Sequence, residues 1–188
     1  KMAFVNGYRP RFLNMLEKGL PPEELSCTTL INYYGGLPFK SVDDIKEGRA
    51  LYMDITNEML IRLGFDVPCL QPEEGALRLI EISKNYDFSL YEYFLSDLVG
   101  HSTDYAAGER IVSDLDRFIG TLSKNINPSE TTVILTSDHG NLEDLSVSKH
   151  TLNPVPLLIL GNNQGIKQFT AGLRDLTGIV PALINHFS

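Results

Sequence analysis

The chain has 188 residues, enough to bury a core without disulfide or metal staples. Its hydrophobic fraction of 43% excludes an intrinsically disordered protein, and no apolar run approaches the ~20 residues of a membrane span. Its net charge of −8 argues against a nucleic-acid-binding surface or a polybasic membrane patch. The charge is uneven: residues 1–86 carry 10 basic and 12 acidic side chains, and residues 87–188 carry 6 and 12.

The elements read as follows. Residues 1–6 form a short buried strand broken by Gly7 and Pro10, and Arg11 to Lys18 form a helix ending at Gly19. Residues 20–70 are punctuated by Pro21-Pro22, Gly35-Gly36, Gly48, Gly64 and Pro68. They read as helical pieces over 23–34, 42–47 and 55–63 with no strong strand. This division makes 1–19 and 71–188 one α/β core and 20–70 a small helical insertion or cap. Pro72-Glu73-Glu74 opens a helix, with proline and acids in its first turn. Asp87 to Leu95 reads as an aromatic-rich strand and 96–104 as a loop. Thr103 or Asp104 caps a long helix whose Ile111, Leu115, Phe118 and Leu122 share one face. Strands follow at 131–135 and 155–160, separated by a polar loop over 141–153, and a last helix covers 176–185. Strands alternating with helices predict a mostly parallel sheet with helices on both faces.

Cys27 and Cys69 stand 42 residues apart in no metal or redox pattern, so two buried, reduced thiols are expected. No glycosylation sequon or signal-peptide pattern is present, and a cytoplasmic protein is expected. The chain opens at Lys1 directly into a strand-like run, which suggests that something precedes it.

In open α/β sheets, ligands bind beyond the carboxyl ends of strands. Asp97 and His101 follow the 87–95 strand, Asp138-His139-Gly140 follows the 131–135 strand, and His150 lies in the next loop. Carboxylate oxygens with imidazole nitrogens suit Zn²⁺ or Mn²⁺, with Mg²⁺ a further option. Five such ligands exceed the needs of one catalytic ion and suit two ions ~4 Å apart around a reacting phosphoryl group. Taken singly, each residue has a bland reading as a cap, turn or surface side chain. Their clustering, with three of the four histidines beside acids, raises the metal reading.

The run Thr136-Ser137-Asp138-His139-Gly140-Asn141-x-Glu143, followed by His150-Thr151-x-Asn153-Pro154, resembles the metal signature of the alkaline phosphatase superfamily. It is most similar to the branch holding cofactor-independent phosphoglycerate mutase and phosphopentomutase, and to a smaller group of metalloenzyme-domain proteins. Asp97-x-x-Gly100-His101 resembles that branch's upstream motif. The strong match covers about residues 87–183, and residues 1–86 carry no matching motif.

The resemblance implies an alkaline-phosphatase-like fold and a metal-dependent phosphomutase or phosphatase acting on a small phosphorylated metabolite. Asp97, His101 and His150 would hold one of two divalent metals, and Asp138 and His139 would contribute to the other. A first-strand aspartate and a Ser or Thr nucleophile would complete the site. Neither is recognisable in residues 1–86, so the chain is expected to be a C-terminal portion lacking the nucleophile and inactive alone. Asn6, Arg9 and Arg11 face the ligand edge as substrate-binding candidates, and Glu143 could orient a ligand histidine. The alternatives are a non-catalytic metal-binding or regulatory module of the same fold, and a phosphodiesterase or sulfatase of the superfamily. The sequence leaves the substrate, the metal's identity and the oligomeric state open.

Overall fold

A computed structural model describes residues 1–19 and 25–187. The chain folds as a mixed α/β protein built on short strand pairs. Strand β1 (Met2–Phe4) pairs in parallel with β4 (Phe88–Leu90), with Met2 opposite Phe88. Val5 extends that pairing by donating to the Leu90 carbonyl at 2.8 Å. Asn6 then takes over with its side chain. Its Nδ2 donates to the Glu92 carbonyl at 2.7 Å and its Oδ1 accepts from the Glu92 amide at 2.9 Å. A side chain thus continues the ladder past the end of the backbone pairing.

Strand β2 (Gly7–Tyr8) pairs in parallel with β3 (Lys40–Ser41), and Leu51 bridges Asn6. The sequence showed no strand in this region because two-residue strands carry no periodicity. Gly7 meets a packing demand, since a Cβ there would stand 2.6 Å from Ile45 Cδ1. Helix α1 (Pro10–Glu17) starts on a proline, which needs no N–H partner at that position. Helix α2 (Cys27–Tyr34) is capped by Ser26, whose Oγ accepts from the Thr29 amide at 3.3 Å. The predicted start of this helix at Glu23 lies outside the described residues. Helix α3 (Val42–Lys46) opens with a reciprocal Ser41–Asp44 capping box.

Helix α4 (Glu58–Arg62) begins three residues later than the pattern predicted. Ile55 and Asn57 both sit at φ 66°, in the left-handed region that a helix cannot include. The buried Asp54 carboxylate holds this turn by accepting from the amides of Asn57 and Met59, each at 2.8 Å. The segment 50–70 also supplies core: Leu51 and Leu70 pack with Val5 and Ile82.

Helix α5 (Pro72–Ser83) packs along the long helix α7 (Tyr105–Asn125), and Arg117 of α7 grips Glu73 with two bonds of 2.8 and 2.7 Å. Asp104 caps α7 by accepting from the Ala107 amide at 3.0 Å. Phe118 and Leu122 of α7 close over Ile55 and Ala76. Between β4 and α7 the chain forms helix α6 (Leu95–Ser102), which corrects the loop expected over 96–104. Gly100 and the polar residues of 96–104 concealed it, although Leu95, Leu98 and Val99 give it a helical apolar stripe.

Strand β5 (Val133–Thr136) pairs with β6 (Leu157–Leu160) in antiparallel fashion. The connection is the polar loop rather than a crossover helix, which leaves antiparallel pairing open. Helix α8 (Asn163–Thr170), with no matching prediction, is capped by Asn162. A 3-10 turn (Leu176–Gly178) leads into α9 (Ile179–Phe187). Cys27 and Cys69 are free and exposed, a correction to the expectation that both are buried. No helix among the described residues is long and apolar enough to cross a membrane.

Candidate metal centre

Helix α6 places Asp97 and His101 four residues apart, hence on one helical face. Asp97 Oδ1 lies 3.3 Å from His101 Nε2. The loop after β5 brings in His150, whose Nε2 is 3.3 Å from the same oxygen and 3.2 Å from His101 Nε2. Three donor atoms therefore form a nearly equilateral triangle. Donors set tetrahedrally at ~2.0–2.1 Å from an ion stand ~3.3–3.4 Å apart, so the triangle has the size of one face of such a tetrahedron. The residues present fit a divalent metal.

His139 enters from the end of β5. Its Nε2 lies 3.9 Å from Asp97 Oδ1 and 3.6 Å from Asp138 Oδ2. Asp97, His139 and His150 also offer ligand atoms within 4.8 Å of one another. Two overlapping triads thus share Asp97 and His150. The His139 and His150 rings stack, with centroids 3.6 Å apart. Among the described residues, His139 Nδ1 is buried with no hydrogen-bond partner. Asp138 is the most open member, with its side chain 82% exposed.

A hydrogen-bonded layer lies behind these residues. Asn141 Nδ2 donates to Asp97 Oδ1 at 2.7 Å and to the Asp97 carbonyl at 3.2 Å. Asn141 is buried beside Gly100, where a Cβ would stand 2.3 Å from Asn141 Oδ1. His101 Nδ1 contacts the Ser148 carbonyl at 2.9 Å, which leaves Nε2 for the triangle. Among the described residues Glu143 makes no hydrogen bond to a histidine. It accepts from the Asn141 amide at 2.6 Å, from Asn153 Nδ2 at 3.1 Å and from the Thr151 hydroxyl. These bonds, the Thr151 hydroxyl foremost, hold its carboxyl down at about 2. Asn141 stood within the recognised motif, but nothing in the sequence showed which residue it supports.

The remaining candidates are placed differently. Asn6 has its amide engaged at both ends by the Glu92 backbone. Arg9 is exposed at the edge of a cleft of about 230 Å³ that Tyr8, Tyr52 and Phe94 also line. Arg11 is exposed on α1, away from that lining. Ser26, Thr28 and Thr29 bond to one another, to Tyr8 and to Glu92, and not to the metal-centre residues. Burial pushes the Glu92 carboxyl up, and the negative charge of Asp138 adds to the shift.

Residues 65–188 match the Metalloenzyme superfamily. The chain is 25% identical over 156 residues to a 2,3-bisphosphoglycerate-independent phosphoglycerate mutase from Thermococcus kodakarensis, covering 77% of this chain and 38% of that one. It is 30% identical over 128 residues to the protein of the same name from Agrobacterium fabrum, covering 62% of this chain and 25% of that one. The chain thus spans between a quarter and two fifths of the length of these curated relatives. The solved structure of PH0037 protein from Pyrococcus horikoshii is 28% identical, covers 49% of this chain and 27% of its own, and aligns with a TM-score of 0.44. With the family matched over about two thirds of the residues, the chain belongs to the Metalloenzyme superfamily.

Proposed function

We propose that this chain is the metal-holding portion of a phosphomutase- or phosphatase-type enzyme that transfers a phosphoryl group of a small phosphorylated metabolite. The observation that carries this reading is the Asp97–His101–His150 triangle, with sides of 3.2 to 3.3 Å. Those three residues would hold one Mn²⁺ or Zn²⁺, and Asp138 with His139 would help to hold a second. Bound divalent ions supply positive charge to the phosphoryl oxygens and the leaving oxygen.

The chain's own residues orient that chemistry. Asn141 fixes the direction of the Asp97 carboxylate, and the Ser148 carbonyl fixes the His101 ring. Arg9 offers a guanidinium at the cleft to an anionic group. In this reading the hydroxyl nucleophile implied by the resemblance is none of Ser26, Thr28 and Thr29, whose side chains bond to one another, to Tyr8 and to Glu92.

Metal analysis of the purified chain tests the reading. Wild type is expected to retain stoichiometric Mn²⁺ or Zn²⁺ and to bind inorganic phosphate in a manner abolished by EDTA. His150→Ala is expected to lose the metal of the triangle. Equally negligible metal in both proteins refutes the assignment.

A further inference from the structure

Helix α6, which carries Asp97 and His101, starts without a side-chain cap. Its start is held from elsewhere in the chain. Phe94, three residues before Asp97, donates its amide to the Met53 carbonyl at 3.2 Å. Tyr91, three residues earlier still, donates its hydroxyl to the Tyr52 carbonyl at 2.7 Å. Between these points the Asn6 amide holds the Glu92 backbone. The segment leading from β4 to α6 is thus hung on two successive carbonyls. Both belong to the turn over 52–57, which is neither helix nor strand.

That turn is kept in a conformation its own residues resist. Ile55 lies at φ 66°, where a β-branched side chain is a genuine outlier. Asn57 is left-handed as well, at φ 66°, a conformation that asparagine tolerates better. Both residues are buried. The Asp54 carboxylate holds the turn from within: Oδ1 accepts from the Asn57 amide and Oδ2 from the Met59 amide, each at 2.8 Å. From outside, Ile55 is packed among Ala76, Phe118 and Leu122. Gly75 of α5 leaves the room it fills, since a Cβ there would stand 2.4 Å from Ile55 Cγ2. Strain of this kind persists only where the surroundings over-determine it, and it gathers where an exact geometry is put to use. A turn relaxed at Ile55 could not bury that side chain against α5 and α7 and also present the Tyr52 and Met53 carbonyls to Tyr91 and Phe94.

We propose that Asp54 is a positioning residue for the metal site: by fixing the 52–57 turn it sets where α6 starts, and so where Asp97 and His101 stand relative to His150, which comes from another part of the chain. Asn141 directs the Asp97 carboxylate, and Asp54 directs the helix that carries it. The proposal rests on the reading of the Asp97–His101–His150 triangle as a metal site.

Titration with Co²⁺, followed by visible absorption, tests it. Co²⁺ accepts the same carboxylate and imidazole donors, and its band intensity reports coordination geometry and not the stability of the fold. Asp54→Asn puts an amide donor where both oxygens accept, so one of the two bonds to the turn is lost. It is expected to weaken Co²⁺ binding about tenfold and to change the band intensity. Tyr91→Phe removes one hydrogen bond to the turn and keeps the ring. It is expected to weaken binding about threefold, and it serves if Asp54→Asn fails to fold. Phe169→Leu, at a buried position on α8 outside these bonds, is expected to lower the thermal midpoint and to keep the wild-type affinity and spectrum. Wild-type affinity and spectrum in folded Asp54→Asn or in Tyr91→Phe overturn the proposal. So does the same spectral change in Phe169→Leu, which would assign it to stability alone. In each of these cases the metal reading stands, because wild type has bound Co²⁺. Absence of Co²⁺ binding by wild type overturns the metal reading and this proposal with it.

Discussion

Asn141 reaches across from the loop after β5 and donates to Asp97 Oδ1 at 2.7 Å, the same oxygen that lies 3.3 Å from both His101 and His150. The asparagine thereby links the two parts of the chain that supply the candidate ligands. It fixes the carboxylate on which the donor triangle converges.

Asn141→Ala is expected to lower metal affinity by roughly 10–100-fold, the usual effect of removing a group that orients a ligand. Competition with a fluorescent chelator gives the affinity, and thermal unfolding of the metal-free protein checks the fold. Unchanged affinity would show that Asp97 orients itself without the amide.

Gly100→Ala is expected to destabilise the protein by ~1–3 kcal/mol, because a methyl group there overlaps the Asn141 amide and α6 cannot retreat without moving both ligands. The two substitutions are expected to be strongly non-additive, since Asn141→Ala removes the atoms that the methyl group meets. A double-mutant cycle by urea denaturation measures the coupling. Additive costs would place the clash elsewhere.

Glu143 gives the loop a pH dependence. Its folded-state value, held at about 2 by the Thr151 hydroxyl above all, is below the ~4.3 of an unfolded glutamate. Loop ordering from this group is therefore fully present above the unfolded value and is lost as pH falls toward about 2. The Thr151 amide resonance, followed by NMR across that window, is expected to shift in wild type. In Glu143→Gln the carboxyl contribution to that shift is expected to vanish. Identical titrations in the two proteins would remove Glu143 from the account.

The residues that come together in the candidate centre were legible because their chemistry is local. Asp97 and His101 follow β4 and His139 follows β5 in short motifs of uncommon composition, and His150 lies in the loop that leads on to β6. The layer behind them was not. The contact between Asn141 and Asp97 spans 44 residues of sequence, and the reason for Gly100 is that same asparagine. Helix α6 was concealed by the glycine this contact requires inside it. The delayed start of α4 depends on Asp54, whose role as acceptor for two amides leaves no mark on hydrophobic periodicity. The hydroxyl chain ending at Glu92 joins β2, α2 and the segment after β4, and tertiary structure alone brings these together.

The bridge between Gly140 and Thr151, in which the Thr151 amide donates to the Gly140 carbonyl at 2.9 Å, has a consequence for how an ion would arrive. His139 and His150 flank this bridge as diagonal neighbours on one side of an antiparallel pairing, and their rings already lie face to face. What looks in sequence like a ten-residue excursion between two ligands is, in space, a closed clasp. The entropy of bringing these imidazoles together is met when the backbone folds. An incoming ion would find a paired surface to land on and would not have to gather its ligands from a floppy loop, which favours fast capture with little rearrangement.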